Sequence, residues 1–301
     1  MEYRNKNVKR GLIKSLQTTH RIIKRINYPK AKIIMELGAG KLNDLDNWIQ
    51  NGIENVYAVE VDPDSIILGK KKYNLYQTKY KKKCPKVTYI QADLSKSEFI
   101  DGMMKKLSNL KGTIEHVICN FAIHYFLESE ESITHLIKLV KYFLMLGGTF
   151  RFCTMDGRTI YNKLSTTGKK TMGSIEEIKL EGIISDYKKE DVIPIENNGE
   201  SIELYKGDKL YFKIRRLYPE DQKFQNYGQK ISVYVISIGN PHIEYLVNFD
   251  YIINQLKKNG LKLTHYKPFS EYMIPKNNIN MSFVEYKWSI MNTYLEFQSI
   301  V

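Results

Sequence analysis

The sequence predicts an α/β fold: a mostly parallel seven-stranded sheet carrying an antiparallel β-rich insertion. Three observations lead there. Short apolar runs at 32–37, 56–61, 87–91, 116–120 and 149–155 are separated by helix-length segments, the alternation of a parallel sheet with right-handed crossovers. The first run, IIMEL, breaks into Gly38-Ala39-Gly40, where backbone amides can approach a ligand because no Cβ intervenes. The fourth, HVICN, leads into NFAIHY at 120–125, setting an amide, two aromatic rings and a histidine at a strand's carboxyl end. Open α/β sheets bind their ligands at those ends, so both runs should face one crevice.

Each element follows in order. Val8, Leu12, Ile13, Leu16, Ile22, Ile23 and Ile26 recur at roughly helical spacing among basic residues, so a basic helix leads into the first strand. Further helices are expected at about 43–51, 64–80, 97–108 and 129–145. After Asp156 the sequence turns lysine-rich and polar, with β-like runs IELY, KLYFKIRRLY and KISVYVISIG, so 156–240 reads as an antiparallel insertion over the site. Helical spacing returns at 244–258 with Gly260 as C-cap, LKLTHYKPF reads as a strand, and a last strand at about 290–297 closes the sheet edge. The expected division is a basic helix at 1–30 contributing to the site, a ligand-binding core at 31–155, the insertion at 156–240, and completion of the same domain at 241–301.

Composition narrows the partners. Lys and Arg number 46 against 33 Asp and Glu, a formal charge of +13, which favours a phosphate-bearing partner; the plainer reading is a solubilising surface. Cys84, Cys119 and Cys153 have no paired spacing, so neither a disulfide framework nor a metal site is expected. No apolar stretch approaches the roughly 20 residues that span a bilayer, and MEYRNKNVKRG lacks a signal-peptide core. The expectation is a soluble cytoplasmic protein without a membrane partner. Lys79, Lys81, Lys82 and Lys83 read as a solvated loop, with RNA guidance as the sharper alternative.

A strand ending in Gly38-Ala39-Gly40 suits a dinucleotide or S-adenosylmethionine. The dinucleotide fingerprint needs a third glycine where Asn43 stands, and Asp44 beside it suits a pyrophosphate poorly. The second strand ends in Glu60-Val61-Asp62-Pro63; a carboxylate about twenty residues past the glycines is placed to accept both ribose hydroxyls, Glu60 first and Asp62 second. Asp93 ends the third strand, where it can accept adenine amino hydrogens. Each acid alone reads as well as a helix N-cap or solvated turn. Three in order at successive strand ends favour S-adenosylmethionine. ELGAGK also resembles the first motif of class I methyltransferases, in which an acid near the turn, here Glu36, faces a cationic sulfonium or amino group.

Over most of its length the chain resembles the messenger RNA cap guanine-N7 methyltransferases, above all the methyltransferase domain of large DNA virus capping enzymes. NFAIHY is nearly that family's hallmark segment, IMELGAGKLND matches its first motif, TMDG follows the fifth strand, and PHIEYLV at 241–247 is similar to the stretch bearing its cap-binding glutamate. The resemblance implies a Rossmann-like class I S-adenosylmethionine-dependent fold acting on capped RNA. Asn5 and Lys9 would stand at the mouth, the lysine meeting the methionyl carboxylate. Gly38 and Gly40 would pack on the methionine moiety, Glu60 would hold the ribose, Asp93 the adenine, and Asn120 would lie beside the cofactor. Tyr125 would touch both ligands, His124 and Glu244 the guanine, Lys41 and Lys72 the cap phosphates, and Tyr294 would wall the pocket. His124, Tyr125 and Glu244 are the residues expected at the chemistry. Three departures matter: Glu36 replaces an aspartate, Leu42 and Asn43 replace glycines, and Asn120 replaces a glutamine.

The guanine nitrogen that would be methylated already carries a free lone pair, so no general base is expected. Two rivals remain. Amino methyltransferases favour Asn or Asp, two prolines and an aromatic at the fourth strand's end, and Phe121 and Ala122 stand where those prolines would. A degenerate fold serving as an RNA-binding or stimulatory subunit is the other. The resemblance also implies partners beyond capped RNA, either further capping-enzyme domains in one polypeptide or a stimulatory subunit, with location in a viral factory or virion if viral. Glu2 to Lys9 begins so close to the first motif that excision from a longer capping enzyme is expected.

Overall fold

The five apolar runs form adjacent strands, and the order in which they lie creates the crevice. The structure, a computed structural model, describes residues 11–165, 196–197, 199–274 and 279–300. They divide into two units, one holding the described residues within 24–154, 250–267 and 294–300, the other those within 11–23, 155–249 and 268–293.

The first unit holds β1 (Ile33–Leu37), α2 (Leu45–Gln50), β2 (Asn55–Glu60), α3 (Pro63–Tyr80), β3 (Lys86–Gln91), α4 (Ser97–Lys106), β4 (Ile114–Ile118), α5 (Glu130–Phe143) and most of β5 (Leu144–Met155). The helix preceding them is α1 (Lys14–Ile26). These strands lie in the order β5-β4-β1-β2-β3 and run parallel. The chain builds β1, β2 and β3 outward on one side and then returns to place β4 beside β1. That reversal is a topological switch point, and ligand crevices open there because the flanking crossovers diverge to opposite faces. Ile34, Met35, Val117, Phe150 and Phe152 are fully buried, as central parallel strands covered on both faces require. Local signals start the helices: Asp62 caps α3 ahead of Pro63, and Ser129 caps α5 by accepting from Ser132 N.

The same sheet is completed by β11 (Leu261–Pro268) and β12 (Asn292–Ser299), reached through α7 (Phe249–Lys258), with Gly260 at φ 80 ending the helix as expected. Here one expectation is corrected. The last strand does not form the edge; β12 inserts between β5 and β11, burying Leu295 and Phe297, with Phe297 stacked 5.9 Å from Phe152.

In the second unit, β6 (Glu196–Asn197), β7 (Ser201–Lys206), β8 (Lys209–Arg216), β9 (Lys230–Val235) and β10 (His242–Tyr245) form an antiparallel sheet in the order β10-β9-β8-β7-β6. Ile202 and Leu204, Phe212 and Ile214, Ile231 and Val233 alternate along their strands and so share one apolar face. They pack with Leu16, Ile160 and α8 (Phe283–Ser289), where Trp288 stacks on Phe212 at 4.6 Å. Two further readings are corrected. The segment after β5 opens with a helix, α6 (Gly157–Ser165), capped by Asp156, which accepts from Arg158 N and Thr159 Oγ1. Helix does not resume at 244: residues 242–245 are strand β10, antiparallel to β9, and α7 begins at Phe249.

Candidate active site

The glycine turn is shaped by close approach. Gly38 and Ala39 donate their amides to the Val59 carbonyl at 2.9 and 3.0 Å, bending the chain across the end of β2. Gly38 has φ 70, and a Cβ on it would stand 2.6 Å from Ala122 Cβ. Ala122 belongs to NFAIHY, so the first motif and the segment after β4 meet where neither has room for another carbon. Gly40, at φ 53, donates its amide to Glu60 Oε2 at 2.6 Å, while Glu60 Oε1 accepts from Val61 N and Asp62 N. Three backbone donors therefore fix the Glu60 carboxylate at the end of β2, against the turn.

Leu42 keeps the left-handed backbone, φ 55, that glycine would adopt freely. A non-glycine residue there costs about 1–2 kcal/mol. The compensation is visible: its side chain is buried beside Ala39, Leu45 and Trp48, and Lys72 Nζ donates to its carbonyl at 2.7 Å. Gly69 on α3 makes the space, since a Cβ there would lie 3.2 Å from Leu42 Cγ. Lys72 thus holds the turn.

Behind the turn lies a buried polar cluster. Glu36 is 4 % exposed and Asp44 1 %. Trp48 Nε1 and Tyr28 Oη donate to Glu36 Oε2 at 2.9 and 3.3 Å; Asp44 pairs with Lys24 and accepts from Asn120 Nδ2 at 3.1 Å. Cys153 Sγ donates to Asn120 Oδ1 at 3.3 Å. Burial first, then the Asp44 charge, holds the Glu36 carboxyl well above the usual carboxylate range. Burial works to lower Lys24, but the charge and hydrogen bond of Asp44 outweigh it and raise Lys24 above its ordinary value. The cluster thus sets a carboxyl whose charging burial opposes beside one ion pair. Glu36 was expected to present its charge to a cationic ligand; its carboxyl turns inward to Trp48 and Tyr28 instead. Asp44 and Lys24 escaped the sequence reading because twenty residues separate them and no local pattern links them.

After β4, Phe121 takes φ 54 and donates its amide to the Cys153 carbonyl at 2.8 Å, turning the chain sharply out of the sheet. The next turn, 123–128, is a 3-10 helix that buries His124 and leaves Tyr125 half-buried, their rings 4.2 Å apart. Asp93, beyond β3, is half-buried and accepts from Ser95 N and Oγ. Asp62 caps α3, accepting from Asp64 N on one oxygen and from Ser65 N and Ser65 Oγ on the other. Along the carboxyl edge of β4, β1, β2 and β3 the sheet brings together NFAIHY, the glycine turn, Glu60 and Asp93.

Asn5 and Lys9 are outside the described residues. Lys41 is half-buried in the turn itself. Tyr294, on β12, donates to Glu296 Oε2 at 2.7 Å and meets His265 edge to face; Glu296 also pairs with Arg151 at 3.1 Å. Glu244 is in the other unit, on β10, buried, with Oε1 2.7 Å from His242 Nε2. There the TMDG glycine has its own reason: Gly157 donates to the Val247 carbonyl at 3.0 Å, and a Cβ on it would stand 2.5 Å from that oxygen. TMDG and PHIEYLV are thereby joined. Glu285, also missed, accepts from Leu16 N, Ser15 Oγ and the Ser282 amide and hydroxyl, fixing the start of α1. The Ser282-x-x-Glu285 capping-box spacing was the available signal. Among the described residues no His, Cys, Asp and Glu cluster suits a metal, and no helix is long and apolar enough to cross a membrane.

A switch-point crevice with a two-glycine turn, closed by a carboxylate at the end of the second strand, defines a Rossmann-like class I S-adenosylmethionine-dependent methyltransferase. A solved methyltransferase of that type from Clostridium acetobutylicum superposes with a TM-score of 0.51 at 13% identity, over 95% of this chain and 91% of that one. Residues 2–192 match the mRNA (guanine-N(7))-methyltransferase domain, and the chain belongs to that family. It is 24% identical to an African swine fever virus mRNA-capping enzyme over 80% of this chain and 25% of the relative. A probable mRNA-capping enzyme of Acanthamoeba polyphaga mimivirus is 26% identical over 84% of this chain and 21% of its own length. The chain thus spans about a quarter of those viral proteins.

Proposed function

We propose that this chain methylates the N7 position of the guanine cap of mRNA with S-adenosylmethionine as donor. One observation carries the reading most: Gly38 of the donor turn lies so near Ala122 of NFAIHY that a Cβ on it would stand 2.6 Å from Ala122 Cβ, so donor and acceptor segments share one edge. The cofactor fits the residues there. A Cβ would fill the cradle at Gly38, and the only strand-end carboxylate aimed at the turn is Glu60, among the described residues.

When bound, S-adenosylmethionine supplies an electrophilic methyl group on a sulfonium. Gly38 and Gly40 give it backbone to lie against, Glu60 accepts from its ribose hydroxyls, and Asp93 meets the adenine amine. Asn120 lies beside it, oriented by Asp44 on one side and Cys153 on the other. Lys9 meets the methionyl carboxylate, with Asn5 at the mouth. His124, Tyr125 and Glu244 address the guanine, Lys41 and Lys72 the cap phosphates, and Tyr294 walls the pocket.

No residue needs to remove a proton, because the guanine nitrogen attacks with a lone pair it already has. Catalysis reduces to holding nitrogen, methyl and sulfur in line, which is worth about 7–11 kcal/mol for well-oriented partners. The purine gains positive charge as the methyl arrives, so a carboxylate from Glu244 helps more at the transition state than before it. The partners follow: capped RNA, other capping domains or a stimulatory subunit, in the cytoplasm, a viral factory or a virion. Labelled methyl transfer to GpppA-capped against uncapped transcript, with the methylated atom identified, tests the reading. Label on an adenine, on protein, or on uncapped RNA overturns it.

A further inference from the structure

Helix α3 carries a feature the reaction at the cap does not use. Between Ser65 and Ala92 the chain has eight lysines and no Asp or Glu. The first half of the helix is docked on the cofactor turn, Gly69 against Leu42 and Lys72 on the Leu42 carbonyl. Beyond it, Tyr76 and Tyr80 lie one turn apart with ring centroids 5.5 Å apart and planes 35° from parallel. Lys72 lies over the Tyr76 ring at 5.4 Å and Lys79 over the Tyr80 ring at 4.9 Å. The helix then ends in Lys81–Lys83, all exposed. At 1.5 Å per residue, the tyrosine and lysine ladder runs about 16–20 Å away from the glycine turn.

We propose that α3 and the lysine turn after it form a track for single-stranded RNA, the part of the transcript that follows the cap. The chemistry fits that partner on two counts. Paired aromatic rings beside lysines accept any base by stacking, and a lysine run with no acid in its own sequence follows a phosphate backbone, the nearest carboxylate, Asp46, being held by Tyr76 Oη at 3.1 Å. The track begins at the cofactor turn, where a capped strand must enter under the function proposed above. A membrane surface fits less well. Lys71 and Lys79 fall at i+3 and i+4 spacing on the same face as exposed Leu68 and Leu75, so the apolar residues are not segregated into the stripe that membrane-surface helices show.

The test uses the whole chain with Lys79, Lys82 and Lys83 changed together to Ala. Two arms are read. Fluorescence anisotropy with an uncapped oligonucleotide of about twelve nucleotides should show affinity falling at least tenfold. The slope of log affinity against log salt should fall by about 2, three lost phosphate contacts at roughly 0.7 each. In the second arm, KM for a capped RNA of the same length should rise at least tenfold while KM for GpppA stays unchanged. Unchanged RNA affinity overturns the track, as does an equal effect on GpppA, or lost binding to phosphatidylserine vesicles with RNA binding intact. If the unaltered chain fails to methylate GpppA, the cap reading falls while the anisotropy arm still decides the track.

Discussion

Replacing Gly38 by Ala tests whether the two motifs share an edge by close approach. The added Cβ would lie 2.6 Å from Ala122 Cβ, about 0.8 Å short of the 3.4 Å at which ordinary contact begins. Forcing that displacement is an overpacking change of about 1–3 kcal/mol. The left-handed backbone at φ 70 adds about 1–2 kcal/mol for any residue with a Cβ. The strain, about 2–5 kcal/mol in sum, can be relieved by moving the NFAIHY segment off the turn. That movement carries Asn120 and His124 with it, so cofactor affinity should fall by at least thirtyfold, since about 1.4 kcal/mol is a factor of ten. Gly52→Ala is the control: φ is 69 and nothing lies within 4 Å of its Cβ, so it should lose about 1–2 kcal/mol of stability and no affinity. Calorimetric titration with S-adenosylmethionine and urea unfolding read the two quantities. If Gly38→Ala behaves like Gly52→Ala in both, the close approach does not organise the site.

Four further outcomes are expected. Glu36 binds a proton in the folded state that it releases when unfolded, so its contribution is full below the unfolded pKa near 4.5 and shrinks as pH rises toward the folded value; Glu36→Gln should remove a stability loss of up to about 1.4 kcal/mol per pH unit above that point in urea titrations. His116 has the opposite sign: burial, then Arg151, push it down to about 4, so it stabilises above pH 6.5 and about 3 kcal/mol is lost between pH 6.5 and 4, a decline absent in His116→Gln. Glu244→Ala should lose most turnover while calorimetry shows S-adenosylmethionine still bound; undiminished cap methylation removes Glu244 from the site. Glu36→Asp and Asn120→Gln should each destabilise the chain, and the double change should restore part of the loss in a double-mutant cycle, whereas strict additivity would separate the two residues.

Much of the fold could be read because its signals are local. The strands β1 to β4 are short and apolar, so their ends shift by only a residue or two, whereas β5 begins at Leu144, five residues before the expected 149. Helix α6 was lost inside a polar stretch because nine residues give only Ile160 and Leu164 to bury. Strand β10 is four residues, too short to show a period of two, and Pro241 ahead of it imitates a helix start. The edge position of β11 depends on which strands pair across thirty residues, and alternation carries no information on that. At the site, glycines and strand-end acids were legible because backbone conformation and position along a strand are sequence-local. The ion pair of Lys24 with Asp44 was not, since it joins two elements only after folding.

That ion pair also explains why the departures from the family pattern are not independent. Glu36 is one methylene longer than the aspartate it replaces, and Asn120 one methylene shorter than the glutamine. Asp44 accepts from the Asn120 amide, its charge bears on Glu36, and it is held in turn by Lys24. Leu42 adds to the same cluster: its side chain fills the region beside Trp48 where glycine would leave a void, and Trp48 donates to Glu36. Glu36, Leu42 and Asn120 therefore meet one cluster behind the crevice, Leu42 and Glu36 through Trp48 and Asn120 through Asp44. Substituting any one of them back toward the family residue should disturb the others before it disturbs the ligand.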